Sequence, residues 1–232
     1  MKTIGLIGGM SWESTASYYR LINTLVKQKL GGLHSAQIVV VSVDFAVIES
    51  CQQKGDWEKA GGLLAKAAQQ IQAAGADFLI LCTNTMHCVS AAIEDAVSIP
   101  MLHIADATGI KLKKQGLTTV GLLGTAFTMQ QPFYKDRLKN QFGLDVLIPN
   151  ARDQELVHRV IFNELCQGKF NNQSKQSYLR ILEQLHQEGA EGIILGCTEI
   201  GLLIEQEDTE VPLFDTAQLH AEFAVDEALK KV

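Results

Sequence analysis

Short apolar runs alternate along this chain with longer stretches in which apolar residues recur at helical spacing. Residues 3–7 predict a strand, Gly8-Gly9-Met10-Ser11 a turn, and residues 13–29 a helix that Ser11 or Ser14 caps and Gly31-Gly32 ends. Residues 36–43 are β-branched and apolar, a second buried strand. Residues 44–55 read as a polar, irregular loop over the strand ends, and residues 57–74 as an alanine-rich helix. Residues 78–81 are a third strand, after which Thr83 or Asn84 caps a helix through Ala96. Residues 100–104 form a fourth short strand and residues 105–114 a helix.

The pattern then restarts. Thr119-Val120-Gly121-Leu122-Leu123-Gly124-Thr125 echoes Thr3-Ile4-Gly5-Leu6-Ile7-Gly8-Gly9 at an offset of 116 (121 − 5). Residues 132–142 predict a helix with Pro132 in its first turn, and residues 145–148 a strand. Helices follow over 154–167 and 174–187, and residues 193–196 are a buried strand. Gly-Ala-Asp/Glu precedes both third strands, at Gly75-Ala76-Asp77 and Gly189-Ala190-Glu191, with a constant offset of 114 (189 − 75). Residues 211–215 match residues 99–103, and residues 217–231 are the last helix. An internal repeat of this kind predicts an α/β protein of two pseudo-symmetric domains, each a short parallel sheet flanked by helices. The expected division is residues 1–103 with 216–232, and residues 104–215. The strand ends of both copies are expected to face one interdomain cleft that holds the active site.

Bulk properties narrow the partners. The chain has 232 residues, 47% of them hydrophobic, and 26 acidic against 20 basic side chains, so a nucleic acid or an anionic membrane is not the expected partner. No apolar run is long enough to span a bilayer, and the N-terminal stretch does not read as a signal peptide. The five cysteines are irregularly spaced without C-x-x-C, which favours a reducing compartment and a cytoplasmic location.

The repeat also picks out the chemistry. Cys197 follows Gly196 at the carboxyl end of a buried strand, where α/β sheets place their ligands. A buried structural cysteine is the plain alternative, but the polar pair Thr198-Glu199 follows it. A helix starting there is expected to lower the thiol pKa. The repeat sets Thr83 opposite Cys197 (197 − 83 = 114), leaving Cys82 on the other side of its strand. Thr83-Asn84-Thr85 serves as a cap, a carboxylate site, or both; Thr125 holds the equivalent first turn of the second copy, with Thr128 a local cap. Cys82, His87 and Cys88 do not have zinc spacing, and Gly5-x-x-Gly8-Gly9 is not a dinucleotide fingerprint. His103, His158, His186 and His220 read as structural or surface residues.

Three stretches together resemble the cofactor-independent aspartate/glutamate racemases: residues 2–10, Thr83-Asn84-Thr85-Met86-His87 and Gly196-Cys197-Thr198-Glu199. The resemblance runs the length of the chain and includes the duplication. It implies an isomerase acting on a small amino-acid substrate, with no cofactor and no metal, in a homodimer. Members use one cysteine per domain on opposite sides of the α-carbon. Carried over by residue, Cys197 is one catalytic group, Asn84 and Thr85 bind the substrate carboxylate, Thr198 and Glu199 flank its amino group, and Met10 and Gln52 touch substrate.

This chain departs from the family pattern where C-N-T-x-H becomes T-N-T-M-H, so Thr83 replaces the first cysteine. The arginine and lysine that aspartate-selective members carry fall near Ile48 and Asn171 here. The expectation is a racemase of aspartate or glutamate biased to the L-enantiomer. The alternatives are a single-cysteine decarboxylase or cis-trans isomerase of the same superfamily, or a non-catalytic amino-acid-binding homologue.

Overall fold

A computed structural model describes residues 1–230; Lys231 and Val232, which close the last predicted helix and the predicted first domain, lie outside the described residues. The chain divides into two compact units, residues 1–104 together with those from 220 onward, and residues 105–219.

The first unit runs β1 (Ile4–Gly8), α1 (Trp12–Leu30), β2 (Ile38–Ser42), α2 (Phe45–Lys54), α3 (Trp57–Ala73), β3 (Phe78–Leu81), a 3-10 turn (Thr85–Val89), α4 (Ser90–Glu94) and β4 (Met101–Leu102). Helix α5 (Ile104–Lys114) leads to the second unit. That unit comprises β5 (Thr119–Gly124), α6 (Ala126–Gln130), α7 (Pro132–Phe142), β6 (Asp145–Leu147), α8 (Ala151–Asn163), α9 (Asn172–Gln187), β7 (Ile193–Gly196) and β8 (Leu213–Asp215). Helix α10 (Thr216–Leu229) follows. Each unit holds a four-stranded parallel sheet, in the orders β2-β1-β3-β4 and β6-β5-β7-β8. The two copies therefore share topology as well as sequence.

Burial follows strand position. The central strands β1, β3 and β7 are buried along their whole length, while β2 and β6 at the sheet edges are partly exposed. Helix α3 covers the first sheet with Ala60, Leu64, Ala67, Ala68 and Ile71, a stripe at helical spacing, and α9 covers the second with Tyr178, Ile181, Leu182 and Leu185. The first unit is closed by its late segment: Lys2 N–H donates to the Ala228 carbonyl at 2.9 Å and Lys2 pairs with Glu227 at 2.6 Å.

The repeated Gly-Ala-acid stretch has a structural role. Gly75 and Gly189 turn the chain at positive φ after α3 and α9, and Ala76 and Ala190 are buried. The acid then caps the neighbouring strand. Asp77 accepts the Thr3 N–H at 2.6 Å, and Glu191 accepts those of Thr118 at 2.7 Å and Thr119 at 2.8 Å. These amides hold the Glu191 carboxyl below its ordinary range.

Three sequence expectations change. Residues 44–55 contain helix α2, not a loop: Asp44 caps it through Ala46 N–H, and Ile48, Cys51 and Gln52 turn inward while Val47, Gln53 and Lys54 stay exposed. Residues 83–96 do not form one helix, since the 3-10 turn precedes the five-residue α4 and Asn84 makes no side-chain capping bond. The predicted helix 154–167 starts earlier, at Ala151, and stops at Asn163, with a 3-10 turn over Leu165–Gln167.

Gly5 and Gly121 occupy equivalent places on β1 and β5, where helix or strand side chains press on the backbone. A Cβ on Gly5 would overlap Ile71 of α3, and one on Gly121 would overlap Ile193 of β7. Gly5→Ala and Gly121→Ala are each expected to cost about 1–3 kcal/mol in urea unfolding through overpacking. Unchanged midpoints would show that these contacts yield freely.

Candidate active site

In the first unit the site begins where β3 ends. Cys82 N–H still reaches the Ile7 carbonyl at 2.9 Å, so the ladder extends to Cys82, and Thr83 N–H then turns back on the Leu81 carbonyl at 2.8 Å. The carbonyls left behind are met by side chains. Ser14 Oγ donates to the Cys82 carbonyl at 2.9 Å, and His87 Nδ1 lies 2.8 Å from the Thr83 carbonyl. Thr83, Asn84 and Thr85 are thereby fixed, all buried, at the head of the 3-10 turn.

Helix α2 delivers Gln52 to the same turn: its Nε2 donates to Met86 Sδ at 3.0 Å. Its Oε1 is buried with no hydrogen-bond partner among the described residues. Met10 packs in the apolar cluster that contains Met86. The structure thus gathers Met10, Gln52, Thr83, Asn84 and Thr85 in one region of this unit. Burial drives the Cys82 thiol far above the ordinary range and Cys88 to about 12.

In the second unit, Gly124 of β5 pairs with Gly196 of β7, and a Cβ on Gly196 would stand 2.9 Å from the Leu123 carbonyl. Only glycine lets the two backbones end side by side. Thr125 follows the first glycine and caps α6 by accepting Thr128 N–H at 3.2 Å. Cys197 follows the second, its carbonyl accepting Ile200 N–H at 3.0 Å.

The sulfur is tied to a carboxylate. Cys197 Sγ donates to Glu199 Oε2 at 3.0 Å, Thr198 Oγ1 donates to the same oxygen at 2.7 Å, and Cys166 Sγ lies 3.8 Å from Oε1. Cys197, Thr198 and Glu199 are all buried. Burial first, then the Glu199 charge and Cys166, hold the Cys197 thiol well above its usual range. This corrects the expectation of a lowered pKa. The segment directly after Cys197 forms the 3-10 turn Ile200–Leu202 and not an α-helix, and the charge beside the sulfur is negative.

Three participants escaped the sequence reading. Ser14 passed as a helix cap, a role Ser11 fills. His87 was weighed only as a metal ligand, although a side chain four residues after Thr83 can reach back to its carbonyl. Cys166 arrives from the turn after α8 and gave no local signal. His103 and His220, expected to be structural, are buried beside His87, with ring centroids 4.4 and 5.9 Å away. Among the described residues no group of three or more His, Cys, Asp or Glu could hold a metal ion, and no helix is long and apolar enough to cross a membrane.

Comparison with known proteins gives consistent matches. The Asp/Glu/Hydantoin racemase family matches residues 7–224. The broad specificity amino-acid racemase RacX of Bacillus subtilis is 25% identical over 228 residues, 96% of each chain. A Yersinia pestis structure, provisionally described as an Asp/Glu racemase, superposes with a TM-score of 0.92 at 52% identity, covering 99% of this chain and 100% of that one. A Pyrococcus horikoshii aspartate racemase homologue superposes with a TM-score of 0.86 at 35% identity, covering 99% and 100%.

The link between Cys197 and Glu199 predicts how the thiol titrates. Glu199→Gln removes the negative charge that disfavours the thiolate, so the pH midpoint for iodoacetamide alkylation of Cys197 should move down. Burial still holds it above that of an exposed thiol. Site-resolved mass spectrometry reads the rate at each pH, and an unmoved or higher midpoint would refute the charge assignment.

Proposed function

We infer the reaction from one premise: the chain belongs to the Asp/Glu/Hydantoin racemase family and is an amino-acid racemase, an isomerase. We propose that its substrates are aspartate and glutamate, that no pyridoxal phosphate takes part, and that it acts far more readily on the L-enantiomer. The observation that carries this reading is the hydrogen bond of 3.0 Å from the Cys197 thiol to Glu199, at the end of β7.

In this reading Glu199 takes the Cys197 proton and the thiolate removes the α-proton from the L-amino acid. Asn84, Thr85 and Thr125 hydrogen-bond substrate carboxylate, which stabilises the charge that develops at the α-carbon. Thr198 and Glu199 flank the ammonium group. Gln52 Oε1, buried without a hydrogen-bond partner among the described residues, suits an N–H donor on the ligand; Met10 shapes the apolar side. Neither Ile48, which is buried, nor Asn171, which caps α9, supplies a cation for a distal carboxylate.

The opposite face of the α-carbon falls to Thr83. A hydroxyl is a far weaker acid and base than a thiol, so it delivers a proton slowly, directly or through water. Cys197 returns its proton to the L face more often than Thr83 supplies the D face. The enantiomers have equal free energy in water, so the enzyme cannot racemise in one direction only. Its bias lies in solvent exchange outpacing inversion. A cytoplasmic homodimer completes the proposal. The five free thiols suit a reducing compartment, and light scattering tests the mass.

Proton NMR in D₂O separates the two steps. L-Aspartate or L-glutamate should lose its α-proton signal well before D product accumulates, whereas equal rates would remove the L bias. Cys197→Ser should slow both steps by about 10²- to 10⁴-fold, the scale of a lost general base. Thr83→Cys should gain exchange on the D-enantiomer, and no gain would refute Thr83 as the second group.

A further inference from the structure

We propose that His87 is the positioning residue for Thr83, working as a neutral imidazole that carries its proton on Nδ1 and holds the Thr83 carbonyl. The proposal rests on the role just given to Thr83.

The tautomer follows from the partners. Ile104 N–H can only donate, and it lies 3.3 Å from His87 Nε2, so Nε2 accepts and carries no hydrogen. The Thr83 carbonyl can only accept, and it lies 2.8 Å from Nδ1, so Nδ1 holds the proton. His220 uses its other ring nitrogen to reach a carbonyl. Its Nε2 donates to the Leu102 carbonyl at 2.9 Å, and its Nδ1 lies 2.9 Å from Tyr18 Oη. His87 is thus neutral, and the two rings bind Leu102 and Ile104, which flank His103 at the end of β4.

This linkage gives Thr83 a support that its own strand lacks. The strand ladder ends at Cys82. The direction of the Thr83 carbonyl fixes the peptide plane between Thr83 and Asn84, and with it the placement of both side chains. His87 therefore transmits the position of the β4 end to the hydroxyl.

The second unit argues that this is not a requirement of the fold. The position equivalent to His87 is Gly201 (201 − 87 = 114), and the Asp215 carboxylate fills the space where its Cβ would be. The imidazole belongs to the unit with the hydroxyl, and the unit with the thiol folds the same sheet without it.

Two matched variants test this. His87→Asn keeps an N–H donor at the place of Nδ1, while His87→Gln keeps a polar group at the place of Nε2. Each loses one of the two hydrogen bonds, so their melting temperatures should fall by similar amounts. Asn should retain most of the inversion rate, and Gln should lose it by at least about tenfold at similar KM, since small displacements of a reacting group are costly. Exchange of the L α-proton by Cys197 should persist in both.

Equal loss of inversion in both variants, tracking stability, would overturn the positioning role. Long-range nitrogen–proton correlation on histidine-labelled protein should show His87 protonated at Nδ1, and an Nε2–H pattern would overturn the proposal independently. Absence of exchange in the parent protein would instead overturn the racemase mechanism, and the tautomer measurement would stand apart from it.

Discussion

A buried parallel strand that stops leaves carbonyl oxygens with no neighbouring strand to meet them, and an oxygen so placed must find another donor. This chain meets the demand with side chains and tight turns. Ser14 and His87 take the oxygens of Cys82 and Thr83, while Thr216 Oγ1 donates to Leu195 at 2.8 Å and Ile200 N–H to Cys197. Each partner fixes the backbone at, or within two residues of, a side chain proposed to do chemistry. The groups proposed to do chemistry lie where the sheets end because strand termination already requires precise local bonding there.

The same constraint explains what could be read from sequence. The strands were legible because buried parallel strands are continuous apolar runs. The duplication was legible because Gly5 and Gly121, and the two Gly-Ala-acid stretches, answer to packing and capping demands that recur in both copies. Helix α2 was hidden because only Ile48, Cys51 and Gln52 are buried, and its apolar residues cluster at its start before a polar remainder. The turn after Thr83 was hidden because helix and 3-10 turn share their residue preferences over so few positions.

The least legible feature was the electrostatics at sulfur. Position at a strand end suggested an activated thiol, but burial and a neighbouring carboxylate push the other way. A thiol held protonated against a carboxylate is a proton store with its acceptor already in place. Cys166, 33 residues earlier in the chain, reaches the other oxygen of that carboxylate, a contact that only folding creates.

The first unit is assembled from two separated stretches, and this sets an order of events during synthesis. The second unit is one continuous segment, whereas the first waits for residues made after that segment: His220, which braces Tyr18 and Leu102, and Ala228, which receives the Lys2 amide. The earlier-made half of the protein is therefore the later to mature. Premature termination near residue 219 would leave the unit that carries Cys197 whole and strip the unit that carries Thr83 of its brace.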